Sequence, residues 1–267
     1  MTTIAFLGAG NIAQAIMGGM LNNGMDAKRI WACDPSPVCM DWVKEQGIHA
    51  ATSNDEAVAA ASVVILCVKP DVLIDVLAKI TVDVSGKLLV SVAAGITTTL
   101  MSDNLPDKVQ IVRCMPNTPA LVKAGMTALF ATPSVSDEHR LIAEDILSAV
   151  GKVVWVSAEE DLNAVTAVSG SGPAYFFLMM ESMIAAAVDL GLPEELSRQL
   201  VVQTALGSAS IVAQGSDDPG TLRQNVTSPG GTTQAAIEHF QRHQFEKIVQ
   251  GAVTAAQKRS VEMANEK

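Results

Sequence analysis

Residues 3–13 decide the fold of this 267-residue chain; they are Thr3-Ile4-Ala5-Phe6-Leu7-Gly8-Ala9-Gly10-Asn11-Ile12-Ala13. The apolar run up to Leu7 does not alternate with polar residues, which is typical of a strand covered on both faces of a sheet. A glycine turn follows directly, and a helical pattern starts at Asn11. A strand, a tight turn and a helix in this order predict one unit of a parallel α/β sheet.

The glycine turn also predicts a dinucleotide site. Gly8 permits the tight turn, Gly10 lets the backbone approach a pyrophosphate, and Ala13 lets the helix pack closely on the strand. The start of the helix offers free N–H groups and a partial positive charge to phosphates. The alternative is an ordinary glycine turn.

Asp34 bears on the choice of cofactor. It ends the second predicted strand, 21 residues after Ala13, where a carboxylate accepts the adenosine ribose hydroxyls and repels a 2′-phosphate. No Arg lies in residues 34–40 to hold that phosphate. The residues therefore favour NADH, or use of both cofactors, over strict use of NADPH. The alternative is that Asp34 opens an Asp-Pro turn.

Strand and helix patterns keep alternating through the first part of the chain. We therefore predict an α/β fold whose N-terminal domain, residues 1–158, is a Rossmann-type doubly wound parallel sheet. The predicted strands are Thr3–Leu7, Ile30–Cys33, Ser62–Val68, Lys87–Val92, Gln110–Cys114, Met126–Phe130 and Val153–Val156. The predicted helices are Asn11–Asn22, Ser36–Gln46, Asp71–Ile80 and Asp137–Val150.

After Ala158 the patterns are helical only. They predict an all-helical C-terminal domain, residues 159–267. Its predicted helices are Asp161–Val168, Pro173–Leu190, Pro193–Gln214, Thr232–His239 and Phe245–Asn265.

The composition bears on partners and location. The chain has 18 Lys and Arg against 28 Asp and Glu, a formal net charge of −10, which leaves little basic surface for nucleic acid. Hydrophobic residues make up 49% of the chain, enough for a sizeable core. No secretory signal is visible, and glycines and Pro173 interrupt the uncharged stretch 164–180, which therefore predicts a buried or interfacial helix rather than a membrane span. We expect a cytoplasmic protein without membrane or nucleic-acid partners.

The cysteines and histidines predict no metal site. The four cysteines form no CxxC pair and have no His at metal-ligand spacing, so we expect buried, reduced thiols. His239 and His243 are four residues apart but flank an apparent helix break, which argues against a metal.

Three further segments predict ligand contacts. Residues 227–233 precede a helix and expose backbone N–H groups beside hydroxyls, a site for a small carboxylate or phosphate. Residues 113–120 end a strand, and their prolines hold Asn117 in a stiff loop with its amide available to a nicotinamide or substrate. Residues 169–174 form another glycine-rich turn before a helix. For each segment the alternative is a purely structural turn.

Together these motifs resemble the pyrroline-5-carboxylate reductase family. They occur in the family's order and span nearly the whole chain, and the last of them is the family signature. The matching motifs are Gly8–Ala13, Val68–Pro70, Ala93–Gly95, Arg113–Ala120, Ala164–Tyr175 and Leu222–Thr233. The resemblance implies NAD(P)H-dependent reduction of 1-pyrroline-5-carboxylate to L-proline, the last step of proline biosynthesis. It also implies a homodimer formed through the helical domain, with assembly into larger homo-oligomers in some members.

The resemblance further implies which residues form the site, with NADPH or NADH as cofactor. Thr233 is the expected catalytic residue, hydrogen-bonded to the ring nitrogen. The other expected substrate contacts are Asn225, Ser228, Gly230, Gly231, Thr232 and Glu160. With Asp34 and Asn117 included, the expected cofactor contacts are Leu7, Gly8, Ala9, Gly10, Asn11, Ile12, Asp34, Asn54, Cys67, Val68, Lys69, Pro70, Ala93, Ala94, Gly95 and Asn117. Many bacterial members carry an Arg just after the second strand, where this chain has Asp34-Pro35-Ser36-Pro37.

Two other functions stay open at this point. A β-hydroxyacid dehydrogenase also joins a Rossmann domain to a helical one, but it requires a catalytic Lys in a stretch, residues 164–191, that contains none. A regulator that senses nicotinamide nucleotides without turnover would use the same glycine turn.

Overall fold

The computed structural model describes residues 2–105 and 109–266 and contains an eight-stranded sheet. The strands are β1 Ile4–Leu7, β2 Ile30–Cys33, β3 His49–Ala50, β4 Val63–Leu66, β5 Leu88–Ser91, β6 Gln110–Met115, β7 Gly125–Ala131 and β8 Gly151–Trp155. Their order across the sheet is β3-β2-β1-β4-β5-β6-β7-β8. The doubly wound sheet predicted from the sequence is confirmed.

The last two strands, β7 and β8, run opposite to the other six and so depart from the expected all-parallel arrangement. β7 runs antiparallel to β6, whereas every other neighbouring pair is parallel. Residues 116–124 join these two strands and contain only a 3-10 turn, Thr118–Val122. A parallel return needs a crossover of a dozen or more residues, so this short connection reverses the chain instead.

Burial on both faces explains why the central strands are apolar throughout. Every residue of β1, β4 and β5 is buried. On β1, Ile4 and Phe6 belong to the core on one face, and Ala5 and Leu7 belong to the core on the other. Successive residues of a strand point to opposite faces, so a continuous apolar run is required where both faces are covered.

The chain contains twelve α-helices among the described residues, seven in the part that forms the sheet and five after it. Those in the first part are α1 Asn11–Asn22, α2 Pro37–Glu45, α3 Asn54–Ala60, α4 Leu73–Ala78, α5 Thr98–Ser102, α6 Asp137–Ser148 and α7 Asp161–Val165, the last followed by a π-helical turn at Thr166–Gly170. The later helices are α8 Gly172–Asp189, α9 Glu194–Gln214, α10 Pro219–Asn225, α11 Thr232–Arg242 and α12 Phe245–Asn265.

The described residues divide into two compact units. The first unit contains residues 2–105, 109–171 and 256–266, and the second is Gly172–Ala255. Strands end near residue 158, as predicted, but the units divide thirteen residues later, and the end of α12 belongs to the first unit.

The second unit exposes an unusual amount of apolar surface. In α8, Phe176, Phe177 and Leu178 are each at least 60% exposed, and only Gly172 of that helix is buried. The helical run Asp161–Asp189 is also long and apolar enough to cross a membrane by length and composition alone, and 6% of its apolar window is buried. Phe176, Phe177 and Leu178 are consecutive and point in different directions around α8, so the helix is exposed and apolar on several sides, which is typical of a surface that binds a protein or a membrane.

Candidate active site

Five loops of the first unit meet at one edge of the sheet. β1 is followed by Gly8, β2 by Asp34, β4 by Cys67, β5 by Val92 and β6 by Pro116. These strands are neighbours and parallel, so their carboxyl ends lie side by side. The chain order reverses at β1, which lies between β2 and β4. Ligands of doubly wound sheets bind in the crevice at such a switch point.

The glycine turn has the geometry that a pyrophosphate requires. Gly8 has φ +94°, and a Cβ placed on it would lie 2.7 Å from the carbonyl carbon of Cys67, so no side chain fits there. Gly10 is the N-cap of α1, and a Cβ there would have no heavy atom within 4 Å, so the backbone is open to a ligand. The first N–H groups of α1 have no intrahelical acceptor and no side-chain cap. The turn therefore fits a dinucleotide phosphate.

Asp34 is held against this turn by two backbone groups. The Ala9 N–H donates to Asp34 Oδ2 over 2.7 Å, and the Ser36 N–H donates to Oδ1 over 2.8 Å. The carboxylate thus shapes the Asp-Pro turn and also lies beside the glycine loop. Each carboxylate oxygen accepts more than one hydrogen bond, so a ribose hydroxyl still has an acceptor.

The loops after β4 and β5 contain most of the other expected cofactor contacts. Lys69 is exposed, and Asn54 starts α3, where Ser53 accepts the Glu56 N–H over 3.2 Å.

Burial raises the pKa of the Cys114 thiol to about 12, against the opposing effect of nearby Arg113. Burial, with a smaller contribution from Cys114, also raises the pKa of the Cys67 thiol. Neither thiol ionises near neutral pH, so neither acts as a nucleophile or base.

The Asn117 side chain makes two hydrogen bonds to backbone groups of neighbouring segments. Its Oδ1 accepts the Met126 N–H over 2.8 Å, and its Nδ2 donates to the Ser169 carbonyl over 3.0 Å. Each end of the amide makes one of the two hydrogen bonds open to it, so the expected contact with the cofactor stays a prediction. The contacts tie the loop after β6 to β7 and to the glycine-rich turn at 169–172.

A buried ion pair near the same edge was not predicted. Arg113 Nη1 lies 2.8 Å from Glu159 Oε1, with 7% and 16% of the two side chains exposed. The Thr98 N–H and hydroxyl also donate to Glu159, over 2.8 and 2.6 Å. Glu160, the residue expected to contact substrate, is exposed instead and precedes α7. Arg113 inside an apolar strand was the sequence signal for this pair, because buried arginines are almost always paired.

The second unit presents a helix start with free donors. The turn between α10 and α11 is closed by its own hydrogen bonds: the Gly231 N–H donates to the Ser228 carbonyl over 3.0 Å, and the Gly230 N–H donates to Gln234 Oε1 over 2.7 Å. The N–H groups of Gly230 and Gly231 are therefore engaged within the turn, and their expected contact with the substrate stays a prediction. The N–H groups of Thr232 and Thr233 open α11 without an intrahelical acceptor.

The remaining expected substrate residues lie near this helix start. Asn225 ends α10, and Ser228 lies in the turn; both are exposed. Their roles stay predictions. Within residues 2–105 and 109–266, no three His, Cys, Asp or Glu side chains are placed to hold a metal.

Family models match both parts of the chain. One described as pyrroline-5-carboxylate reductase dimerisation matches residues 159–263, and one described as NADP oxidoreductase coenzyme F420-dependent matches residues 3–95. The pyrroline-5-carboxylate reductase of Pasteurella multocida is 44% identical over 98% of this chain and 97% of its own length. The Escherichia coli enzyme is 37% identical over 98% of both. The chain belongs to the pyrroline-5-carboxylate reductase family.

Solved structures of pyrroline-5-carboxylate reductases share the whole fold. The Coxiella burnetii enzyme superimposes with a TM-score of 0.94 at 39% identity, covering 98% of each chain. The Plasmodium falciparum enzyme, solved with NADP bound, superimposes with a TM-score of 0.88 at 31% identity, again over 98% of each chain. The resemblance read from the sequence motifs is confirmed, and the β-hydroxyacid dehydrogenase alternative is not supported.

Proposed function

We propose that the chain reduces 1-pyrroline-5-carboxylate to L-proline with NADPH or NADH, the last step of proline biosynthesis. The observation that carries this proposal is similarity to enzymes of that name along essentially the whole chain, at 37–44% identity. The glycine turn supports it independently, because its geometry fits a dinucleotide phosphate. The bound nicotinamide supplies a hydride to the imine carbon.

The first unit binds the cofactor in this proposal. The N–H groups at the start of α1 hold the pyrophosphate, and Asp34 accepts the ribose hydroxyls. Ala93–Gly95 and Cys67–Pro70 contribute backbone contacts at the carboxyl ends of β5 and β4. Positioning supplies most of the rate enhancement, since the reaction needs few catalytic side chains.

The second unit binds the substrate. The N–H groups of Thr232 and Thr233 hold the carboxylate, which the net charge of −10 would otherwise repel. The Thr233 hydroxyl hydrogen-bonds the ring nitrogen while it becomes an amine and gains a proton from solvent. Ser228 and Asn225 provide further polar contacts.

Loss of the reduced-nicotinamide absorbance tests this function. Purified protein with NADH or NADPH is expected to show steady loss only when 1-pyrroline-5-carboxylate is added, with L-proline formed in equal amount. Binding of the cofactor without oxidation would instead support the nucleotide-sensing alternative. Heat-denatured protein provides the control.

We also propose that α8, which is exposed and apolar on several sides, forms the interface of a homodimer in the cytoplasm. A match to a dimerisation family over residues 159–263 and the exposed aromatic and leucine side chains support this. Leu178→Glu is expected to give a monomer by light scattering, because it places a charge in a desolvated interface. Leu141→Glu, at an equally exposed leucine of α6, is expected to remain dimeric. A monomeric wild type that associates with vesicles would contradict the dimer and favour a membrane role.

A further inference from the structure

Glu159 joins three segments of the first unit through one carboxylate. Oε1 accepts from Arg113 of β6 and from the Thr98 N–H, and Oε2 accepts the Thr98 hydroxyl. Thr98 lies three residues beyond the Ala93–Gly95 loop. The position of that loop is therefore coupled to Glu159, which lies between β8 and α7.

The C-terminal end of α12 holds the same loop from another side. Gly95 has φ +72°, and a Cβ placed on it would lie 3.4 Å from the Met263 carbonyl oxygen and Cβ. Ser260, one turn earlier on α12, is buried, and its hydroxyl donates to Asn163 Oδ1 over 2.9 Å. Asn163 belongs to α7, which starts just after Glu159. The loop thus contacts Glu159 at Thr98 and α12 at Gly95, and α12 is hydrogen-bonded to the helix that follows Glu159.

Such a cluster fits positioning better than bulk stabilisation. A buried ion pair is often no more stabilising than apolar residues of similar volume, because desolvating both charges offsets their attraction. The three charge-assisted hydrogen bonds, 2.6–2.8 Å long, instead restrict the relative positions of the groups that they join. Among the segments that these bonds join, the loop at the carboxyl end of β5 is the one expected to contact the cofactor.

We propose that Glu159 is a positioning residue, which through Thr98 sets the loop 93–98 for binding the nicotinamide half of the cofactor. This inference rests on the proposed function, because it requires the cofactor to bind at the carboxyl edge of the sheet. Glu159 acts through Thr98 and does not itself contact the cofactor or the substrate.

Thr98→Val tests the coupling without leaving a buried charge unpaired. Removing Glu159 would strand the Arg113 guanidinium and risk unfolding, whereas valine keeps the shape of threonine and deletes only the hydroxyl bond. The dissociation constant of NADH, measured by cofactor fluorescence, is expected to rise about five- to tenfold, with a parallel rise in its KM. The KM for 1-pyrroline-5-carboxylate and kcat are expected to change less than about twofold.

Two further variants separate positioning from stability. Thr98→Ser keeps the hydroxyl and is expected to bind NADH within about twofold of wild type. Thr132→Val deletes a hydroxyl that bonds Ile111 and Ser134 at the opposite end of β6, and it is expected to lower Tm without weakening NADH binding. An unchanged NADH dissociation constant in Thr98→Val, weak binding in Thr98→Ser, or equal weakening in Thr132→Val would each overturn the proposal. A wild type that binds NADH but does not turn over would overturn the proposed function instead.

Discussion

Neutralising Asp34 is expected to shift cofactor preference toward NADPH. Its carboxylate is fixed beside the glycine loop by the N–H groups of Ala9 and Ser36, at 2.7 and 2.8 Å. A ribose hydroxyl bonds a carboxylate over about 2.7 Å, so a phosphate carried on that hydroxyl oxygen would lie on the order of 5 Å from the carboxylate. At that distance, two unit charges in an effective dielectric of about 20 repel by about 3 kcal/mol. Partial exposure and physiological salt reduce this to about 1–2 kcal/mol.

That energy corresponds to a change of about five- to thirtyfold in relative specificity. In Asp34→Asn, the kcat/KM ratio of NADH to NADPH is therefore expected to fall by this factor. The amide oxygen still accepts one of the two backbone N–H groups, so the turn is expected to persist with a stability loss of about 1–3 kcal/mol.

Initial rates with each cofactor at two ionic strengths provide the assay. The wild-type KM for NADPH is expected to fall as salt rises, because screening weakens the repulsion, and this dependence is expected to be smaller in the variant. Asp41→Asn is the matched control, since it removes the same charge from an exposed pair with Lys44 on α2. A ratio that stays the same in Asp34→Asn, or moves equally in Asp41→Asn, would refute the electrostatic reasoning.

Three other perturbations have defined outcomes. Thr233→Ala is expected to lower kcat/KM by about ten- to a thousandfold, with Thr233→Ser recovering most of it; full activity in the alanine variant would exclude the hydroxyl from the reaction. Gly8→Ala is expected to lower Tm and to abolish tight NADH binding, because its Cβ would lie 2.7 Å from backbone; Gly10→Ala meets no protein atom within 4 Å and is expected to keep the wild-type Tm, but its methyl group occupies space that the pyrophosphate needs, so NADH binding weakens there too. The free energy of unfolding is expected to fall as pH rises above 9.0. The thiols of Cys67 and Cys114 ionise there in the unfolded chain, whereas burial raises their pKa in the folded protein and keeps them protonated. Urea titrations over this pH range check the prediction, and Cys114→Ala is expected to show a smaller fall than the wild type.

The parts of the fold that repeat a pattern over many residues could be predicted from the sequence. The apolar runs at β1, β4 and β5 and the glycine turn at residue 8 have the expected places. β3, with two residues, and α5, with five, are too short to show a period. The reversal of β7 depends on the length of the connection 116–124 rather than on the strand's own residues.

Less of the candidate site than of the fold could be predicted from the sequence. The composition of the turn 227–233 predicts an anion site, but which N–H groups are free depends on Gln234, whose side chain engages Gly230. The hydrogen bonds of Asn117 to Met126 and Ser169 could not be predicted, because these partners lie 9 and 52 residues away in sequence. Glu159 and Glu160 are adjacent and chemically identical, and only the fold decides which of them meets Arg113.

The discontinuous first unit has a consequence for synthesis on the ribosome. Residues 2–171 emerge early, yet the residues that rest on Gly95 are in the last part of the chain, after the 84 or so residues of the second unit. At about 5–20 residues per second, the nascent nucleotide domain waits several seconds for its final helical turns. A prematurely terminated polypeptide that lacks residues 256–266 therefore also lacks the contact of Met263 with Gly95, and loop 93–98 stays uncovered at that point until translation is nearly finished.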